Sequence, residues 1–454
     1  MSAGQGSRGG LSESEARALA ERVLSFSKAD EARVNLESGL EGNTRFAVNQ
    51  VTTAGDAEDA IVTVTSAFGT REASARTNRL DDAGLREVVA TSERLARLVR
   101  ENPERMPELE PREHATVPAY FESTARLEPA RRARIASLSI EPSAKRGLQA
   151  AGFLSYGAGS EAVANGKGLF AYHRSTGLAY TTTVRTPAGD GSGWAGAAHS
   201  DVSRVDFEAA AGRAIEKAER SRGAQPVEPG AWTVILEPTA VANLVRLLAF
   251  GLSARSADEG RSFFSKPGDG NRTGETLFDE RVTLVSDPAD PDLLGAPFTG
   301  EGWPLRRIPW IENGVLRNLA TDRFWAEKQG TEPTGFASTL KMTGGTTPLD
   351  EMIASTERGI LVTRFWYIRS VDPRTLVYTG LTRDGTFLIE KGKVTRPAFN
   401  LRFNESPALM LARLEALGPA VRVNGSESGD RSTPIVVPPL KIRGFTFTSV
   451  SEAV

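Results

Sequence analysis

The sequence predicts an α+β protein of two domains: a mixed α/β N-terminal domain over residues 1–225 and a mostly antiparallel β C-terminal domain over 226–454. Three observations carry this. Helical periodicities alternate with β-branched runs through the first half. From Trp232 onward, apart from one apolar helix, short β-rich runs are punctuated by turn dipeptides. Between the two textures lies Gly223–Gly230 (GAQPVEPG), a glycine- and proline-rich linker. With 454 residues, 39% hydrophobic and 25% charged, the chain can bury a sizeable core.

The elements follow in order. Ser12-x-x-Glu15 is a capping box, in which each side chain satisfies an orphan backbone N–H at the other's position. Ala16, Leu19, Ala20, Val23 and Leu24 then form one apolar stripe at helical spacing. Strands are predicted near Ala32–Leu36, Arg45–Thr52 and Ala60–Ala67. A second helix follows Asp81, carries Leu85, Val88, Val89, Leu95, Ala96 and Val99, and ends before Pro103. Residues 102–118, rich in Pro and Glu, read as a surface connection. A helix over Pro129–Ile140 carries Arg131, Arg132 and Arg134; Pro142 should interrupt it, with a short helical piece bearing Lys145 and Arg146 beyond. Hairpin-like strands with a tight turn at Asn165-Gly166 come next, then a helix over Asp206–Arg222. Past the linker, Trp232–Leu236 is a strand and Thr239–Ser253 an apolar helix. The turn dipeptides are Asn313-Gly314, Asp384-Gly385 and Lys391-Gly392, and Thr375–Asn400 reads as a β-meander.

Composition excludes much chemistry. Cysteine is absent, which removes disulfides, thiol nucleophiles and thiolate metal ligands. Histidine occurs only as His114, His173 and His199. A formal charge of −2 gives no electrostatic reason to expect a nucleic-acid or anionic-membrane partner. The most apolar run, Ala242–Leu252, is far short of a bilayer span and is interrupted by Arg246. The N-terminal MSAGQGSRGG is polar and lacks the apolar region of a secretory signal, so a cytoplasmic location is expected.

Short motifs give way to plainer readings. Gly191-x-Gly193-x-x-Gly196 and Gly157-x-Gly159-x-x-Ala162 do not turn a strand straight into a helix, as a dinucleotide site requires, and read as loop or hairpin glycines. Ser25-x-x-Lys28 stands at a helix end without the companion elements of penicillin-recognising enzymes. In His199-Ser200-Asp201 three triad residue types are adjacent in sequence, whereas a triad needs them convergent in space. The arginines between Arg131 and Arg146 read as a solvated helix face. Neither His114 nor His173 has a second metal ligand at helical spacing.

An ordered series of segments stands out. It runs Glu237–Val241 (EPTAV), Phe278–Val285 (FDERVTLV), Gly300-Glu301-Gly302, Ile311–Leu316 (IENGVL) and Asp384–Glu390 (DGTFLIE). Asn400–Ser406 (NLRFNES), Val437–Leu440 (VPPL) and Phe445–Ser449 (FTFTS) complete it, and Ala73–Asn78 (ASARTN) extends it into the first half. This succession resembles the TldD/PmbA family, once called modulators of DNA gyrase. In that family two related subunits form a cytoplasmic peptidase. The TldD type carries His-Glu-x-x-x-His on a helix, with a later cysteine completing a zinc site; the TldE (PmbA) type has the fold without the site.

The resemblance implies that the zinc helix corresponds to Thr239–Ser253, with Arg246, Leu247 and Gly251 near the positions of first histidine, glutamate and second histidine. Arginine offers only donors and a fixed charge, so it cannot ligate a cation. The implied function is a non-catalytic TldE-type subunit of a zinc metallopeptidase that degrades or matures unfolded or modified peptides. No catalytic or metal residues are expected on this chain, and zinc is expected on a TldD-type partner. Extended peptide is the expected substrate, and Met342, Thr343, Gly344 and Gly345 are a candidate peptide-contacting stretch, because glycines let a ligand backbone approach closely. The alternative is a stand-alone homodimer that binds peptides or a client without hydrolysis.

Overall fold

A computed structural model describes residues 9–268, 270–425 and 434–451; residues 1–8 of the polar N-terminal stretch lie outside it. The first half contains α1 (Glu13–Leu24), β1 (Glu31–Ala47), β2 (Gln50–Phe68), β3 (Arg71–Thr77), α2 (Asp82–Leu98) and α3 (Glu122–Ala125). It continues with α4 (Pro129–Lys145), β4 (Gln149–Asn165), β5 (Phe170–Arg185), β6 (Ser192–His199) and α5 (Phe207–Arg220). The six strands form one antiparallel sheet in the order β3-β2-β1-β4-β5-β6.

Even-numbered residues of β1 and β4 face the helices, as the two-residue period of a strand requires. Val34, Leu36, Ala162 and Ala164 meet α1 and α2, while Leu40, Leu154 and Tyr156 meet α4 and α5. Local signals written in the sequence appear as read. The Ser12–Glu15 capping box closes reciprocally, and Asp81 and Asp206 cap α2 and α5.

Three expectations need correction. Arg45–Thr52 is not a strand of its own: β1 and β2 are single long strands reversed at Val48-Asn49, both at positive φ (49° and 60°). Pro142 does not interrupt α4, which runs through to Lys145. Packing of Ile135, Ala136, Ser139 and Ser143 against the sheet holds the helix across the missing proline N–H. Finally, Gly191, Gly193 and Gly196 belong to the last strand and its approach rather than to a loop. A Cβ on Gly193 would stand 2.1 Å from the Ala214 carbonyl oxygen, so that glycine lets α5 lie directly on β6.

The second half holds β7 (Gly230–Leu236), α6 (Pro238–Phe250), β8 (Leu284–Ser286), β9 (Ile308–Glu312), β10 (Val315–Leu316), β11 (Leu340–Met342), β12 (Arg358–Val362) and β13 (Phe365–Asp372). It ends with β14 (Val377–Thr382), β15 (Thr386–Glu390), β16 (Lys393–Pro397), β17 (Asn400–Glu405), β18 (Leu414–Leu417), β19 (Val421–Asn424), β20 (Pro434–Val437) and β21 (Leu440–Ser451). One sheet runs β10-β9-β8-β11-β20-β19, and the other is built of β7, β12–β18 and β21. Helices and mixed sheets together make this an α+β fold.

The meander is present, but each of its strands is kinked at mid-length. One set of halves pairs β12-β15-β16 and the other pairs β13-β14-β17. Asp384-Gly385 (φ 54° and 129°) is therefore a kink within a strand run and not a chain reversal. The reversal lies at Pro373–Leu376, where the Asp372 carboxylate accepts from the Arg374 N–H and the Thr375 hydroxyl. Asn313-Gly314 and Lys391-Gly392 are hairpin turns with both residues at positive φ. β7 joins β12 in parallel, and β21 pairs with both β7 and β17.

The two halves meet through specific contacts. The Ser192 hydroxyl donates to the buried Asp384 carboxylate at 2.5 Å, and Asn35 donates to the Gly300 carbonyl at 2.8 Å. Leu109, Val163, Leu169 and Ala171 pack against Phe298.

Candidate functional site

The apolar helix α6 begins directly after β7, which fixes its start. Glu237 occupies the N-cap, and its backbone N–H bonds to the Val362 carbonyl at 3.0 Å. Pro238 at the first helical position suits its fixed φ and missing donor. Ala240, Val241, Ala242, Leu244, Val245 and Leu248 are fully buried. Asn243 is buried among them, with both amide ends used. Its Oδ1 accepts from the Phe365 N–H at 3.1 Å, and its Nδ2 donates to the Gly425 carbonyl at 3.2 Å. That one side chain ties α6 to β13 and to the segment beyond β19.

The helix leaves Arg246, Leu247 and Phe250 less covered. Phe250 is 71% exposed, and the Arg246 guanidinium lies 5.8 Å from its ring. The Leu247 carbonyl accepts from the Tyr378 hydroxyl at 3.3 Å. The regular helix stops at Phe250, so Gly251 is its C-cap rather than an interior residue. The side chains of Arg246, Leu247 and Gly251 offer no lone pair that a zinc ion could use, so as a side-chain donor set they do not fit that metal. Among the described residues, no three His, Asp or Glu side chains converge as a metal site.

Met342 is fully buried in the core at the end of β11. The Thr343 N–H bonds to the Thr283 carbonyl, and the Gly345 N–H to the Gly418 carbonyl. A Cβ on Gly344 would meet the Ala420 nitrogen at 2.4 Å, and one on Gly345 the Leu417 carbonyl oxygen at 2.5 Å. The space those glycines leave is taken up by the chain's own 417–420 segment.

The other sequence candidates resolve individually. The Ser25 hydroxyl donates to the Arg22 carbonyl at the end of α1, and the Lys28 N–H bonds to the Glu93 carboxylate. His114 contacts the Gly302 carbonyl at 2.9 Å and meets Phe298 edge-on. His173 is buried, its Nε2 has no hydrogen-bond partner among the described residues, and burial pulls its pKa down to about 4. His199, Ser200 and Asp201 do not converge. The Asp201 carboxylate accepts from Ser123 and Ser203, and the backbone N–H of Asp201 donates to His199 Nδ1 at 2.9 Å.

Arg132 corrects the reading of a solvated helix face. It is only 1% exposed and grips Asp56 bidentately at 2.6 and 3.1 Å, so α4 is pinned to the β1–β2 hairpin. No local pattern marks it; its partner is 76 residues away.

Residues 229–449 match the model of the PmbA/TldA metallopeptidase C-terminal domain. Among curated proteins, the chain is 23% identical over 240 residues to a metalloprotease of Methanothermobacter thermautotrophicus, covering 49% of this chain and 50% of that protein. It is 29% identical over 135 residues to an uncharacterized protein of Methanocaldococcus jannaschii, covering 29% of this chain and 31% of that one. The chain thus spans half or less of the length of these curated relatives. Two solved structures share its fold along nearly the whole chain. TldE from Thermococcus kodakarensis superposes with a TM-score of 0.83 at 19% identity, covering 96% of this chain and 100% of that one. A Bacteroides thetaiotaomicron protein described as a candidate modulator of DNA gyrase gives 0.82 at 20% identity, covering 96% and 99%.

Proposed function

The chain belongs to the TldD/PmbA family, and on that premise we propose that it is a TldE-type, non-catalytic subunit of a cytoplasmic two-subunit zinc metallopeptidase. One observation supports the reading. The helix that the resemblance aligns with the family's zinc helix presents Arg246, Leu247 and a C-capping Gly251, none of whose side chains can donate an electron pair to a metal. Zinc and the water it activates then belong to a TldD-type partner. This chain contributes the wall of the chamber that admits extended or modified peptide. Exposed Phe250, Tyr367 and Val371, on α6 and the neighbouring β13, supply apolar surface suited to a partner subunit. The same reading divides the chain into functional domains at residues 225/226.

An affinity pull-down from native cell extract tests it, with co-purifying chains identified by mass spectrometry and zinc measured in the eluate. The expected outcome is a roughly equimolar partner bearing His-Glu-x-x-x-His, with zinc following that partner. A zinc-free homodimer recovered alone would leave the stand-alone binding protein as the better description.

A further inference from the structure

A cavity of about 660 Å³ opens at the other end of α6, where β6 and α5 of the first half face β12, β15 and β19 of the second. That is within the ~300–1,000 Å³ range of small-ligand sites. Its walls are apolar, formed by Trp194, Leu361, Phe387 and Val423. Its polar lining is unbalanced, with five cationic side chains against three carboxylates.

Two of the cations are already paired. Lys217 holds Glu237 at 2.5 Å, and Arg220 holds Glu216 at 3.0 Å while lying over the Phe387 ring. The third carboxylate, Asp206, caps α5 through the Ala209 N–H. Arg204 and Arg213 make no side-chain hydrogen bond or ion pair among the described residues. Arg422 is set deeper. Its guanidinium donates to the Ala198 carbonyl at 2.6 Å and to the Asp292 carbonyl, both neutral acceptors. Burial draws its pKa down to about 10 against the opposing charges of Asp292 and Asp290, which Lys341 also holds, and leaves it charged at neutral pH.

His199 adds a neutral donor to the lining. Burial, with the Arg422 charge second, lowers its pKa to about 4, so the ring is neutral. Its Nδ1 accepts the Asp201 N–H, so Nε2 carries the proton. The N-terminus of α6 also contributes. Glu237 makes no side-chain cap there, so the first-turn N–H groups and the helix dipole add positive potential at the cavity wall.

We propose that this cavity binds the C-terminal carboxylate of a short apolar peptide, with Arg204, Arg213, Arg422 and His199 as its donors and Trp194, Leu361 and Phe387 receiving the adjoining side chains. The preference for an organic anion follows from the cavity alone. Choosing a peptide over another carboxylate rests on the proposed function. Arginine forks match carboxylates in geometry, and the apolar wall beside them receives the side chains next to the carboxylate.

The full chain, without any partner, is titrated calorimetrically with acetyl-trileucine, its C-terminal amide and inorganic phosphate. The acid should bind at least about ten-fold more tightly than the amide, since charged hydrogen bonds are lost with the carboxylate. It should also bind more tightly than phosphate. The double variant Arg204→Gln/Arg213→Gln alters only exposed side chains and should weaken the acid by about ten-fold or more without changing the unfolding temperature. Arg422→Gln should weaken it as well. Equal binding of acid and amide, tighter binding of phosphate, or no response to the double variant would overturn the assignment. The pull-down outcome is independent: a zinc-bearing partner can be recovered even if this cavity binds no peptide, and the reverse.

Discussion

The C-terminal half gathers most of its core into one large apolar cluster from Val227 to Phe447, with a small second cluster around Met352 and Phe387, whereas the N-terminal half divides its core between two smaller clusters. In the second half the rings of Phe365, Phe403, Phe445 and Phe447 lie in mutual contact, with centroids 4.6 to 5.8 Å apart. In the first half Arg132 is buried on Asp56, Glu108 on Arg33, and Glu31 accepts from Arg105. His173 is buried with no partner for Nε2 among the described residues. The C-terminal half buries charge too, with Arg364 beside Asp384 and Glu405 on Arg413, but there the charge lies beside one large apolar core. The family model matches the C-terminal half.

Three tests sharpen or break this contrast. Phe445→Ala removes a fully buried ring from the centre of the aromatic cluster and should cost about 3–5 kcal/mol. Chemical denaturation reads this, and a loss under 1 kcal/mol would show that the cluster can collapse around the gap. Asp56→Ala leaves the Arg132 guanidinium buried without its carboxylate. Because Asp56 itself reaches water, the expected loss is about 2–3 kcal/mol, below that of a fully enclosed pair. Asp56→Asn should recover part of it, whereas full stability in the alanine variant would place Arg132 among groups that find other partners.

The third test is titration. The His173 pKa of about 4 in the folded chain lies below the ~6.5 of an unfolded histidine. The folded state therefore binds fewer protons, and the stability this group provides is complete above pH ~6.5 and lost as pH falls toward 4. Between pH 7 and pH 4.5 the loss should be about 2 kcal/mol, and His173→Gln should flatten the profile by that amount. Identical profiles for the two proteins would remove His173 from the account.

Much of the fold was legible locally. The capping box at Ser12, the caps at Asp81 and Asp206, the start of α6 at Pro238 and the glycine turns after Asn313 and Lys391 depend on residues within a few positions of each other. Where reading failed, the deciding partner was distant. Asp384-Gly385 has the composition of a hairpin turn, yet Asp384 is drawn into a kink beside buried Arg364 and Ser192. Pro142 ought to end a helix, and sheet packing carries the helix past it. Gly344 and Gly345 could have faced a ligand or the chain itself, and the 417–420 segment occupies that space.

By itself the sequence determined that thiol chemistry is absent and that one apolar helix opens a β-rich half. It also determined that this helix has no His, Asp, Glu or Cys between Pro238 and Phe250. These are matters of residue identity and short-range period, which need no knowledge of the fold. Only the tertiary structure decided which charges are buried and which converge. Arg132 meets Asp56 from across the hairpin, and the cationic cavity draws on 194–199, 204–220, 237–239 and 421–423. Arg204, Arg213 and Arg220 are each exposed and read alone as solvated surface; only the fold gathers them with Arg422 around one apolar wall.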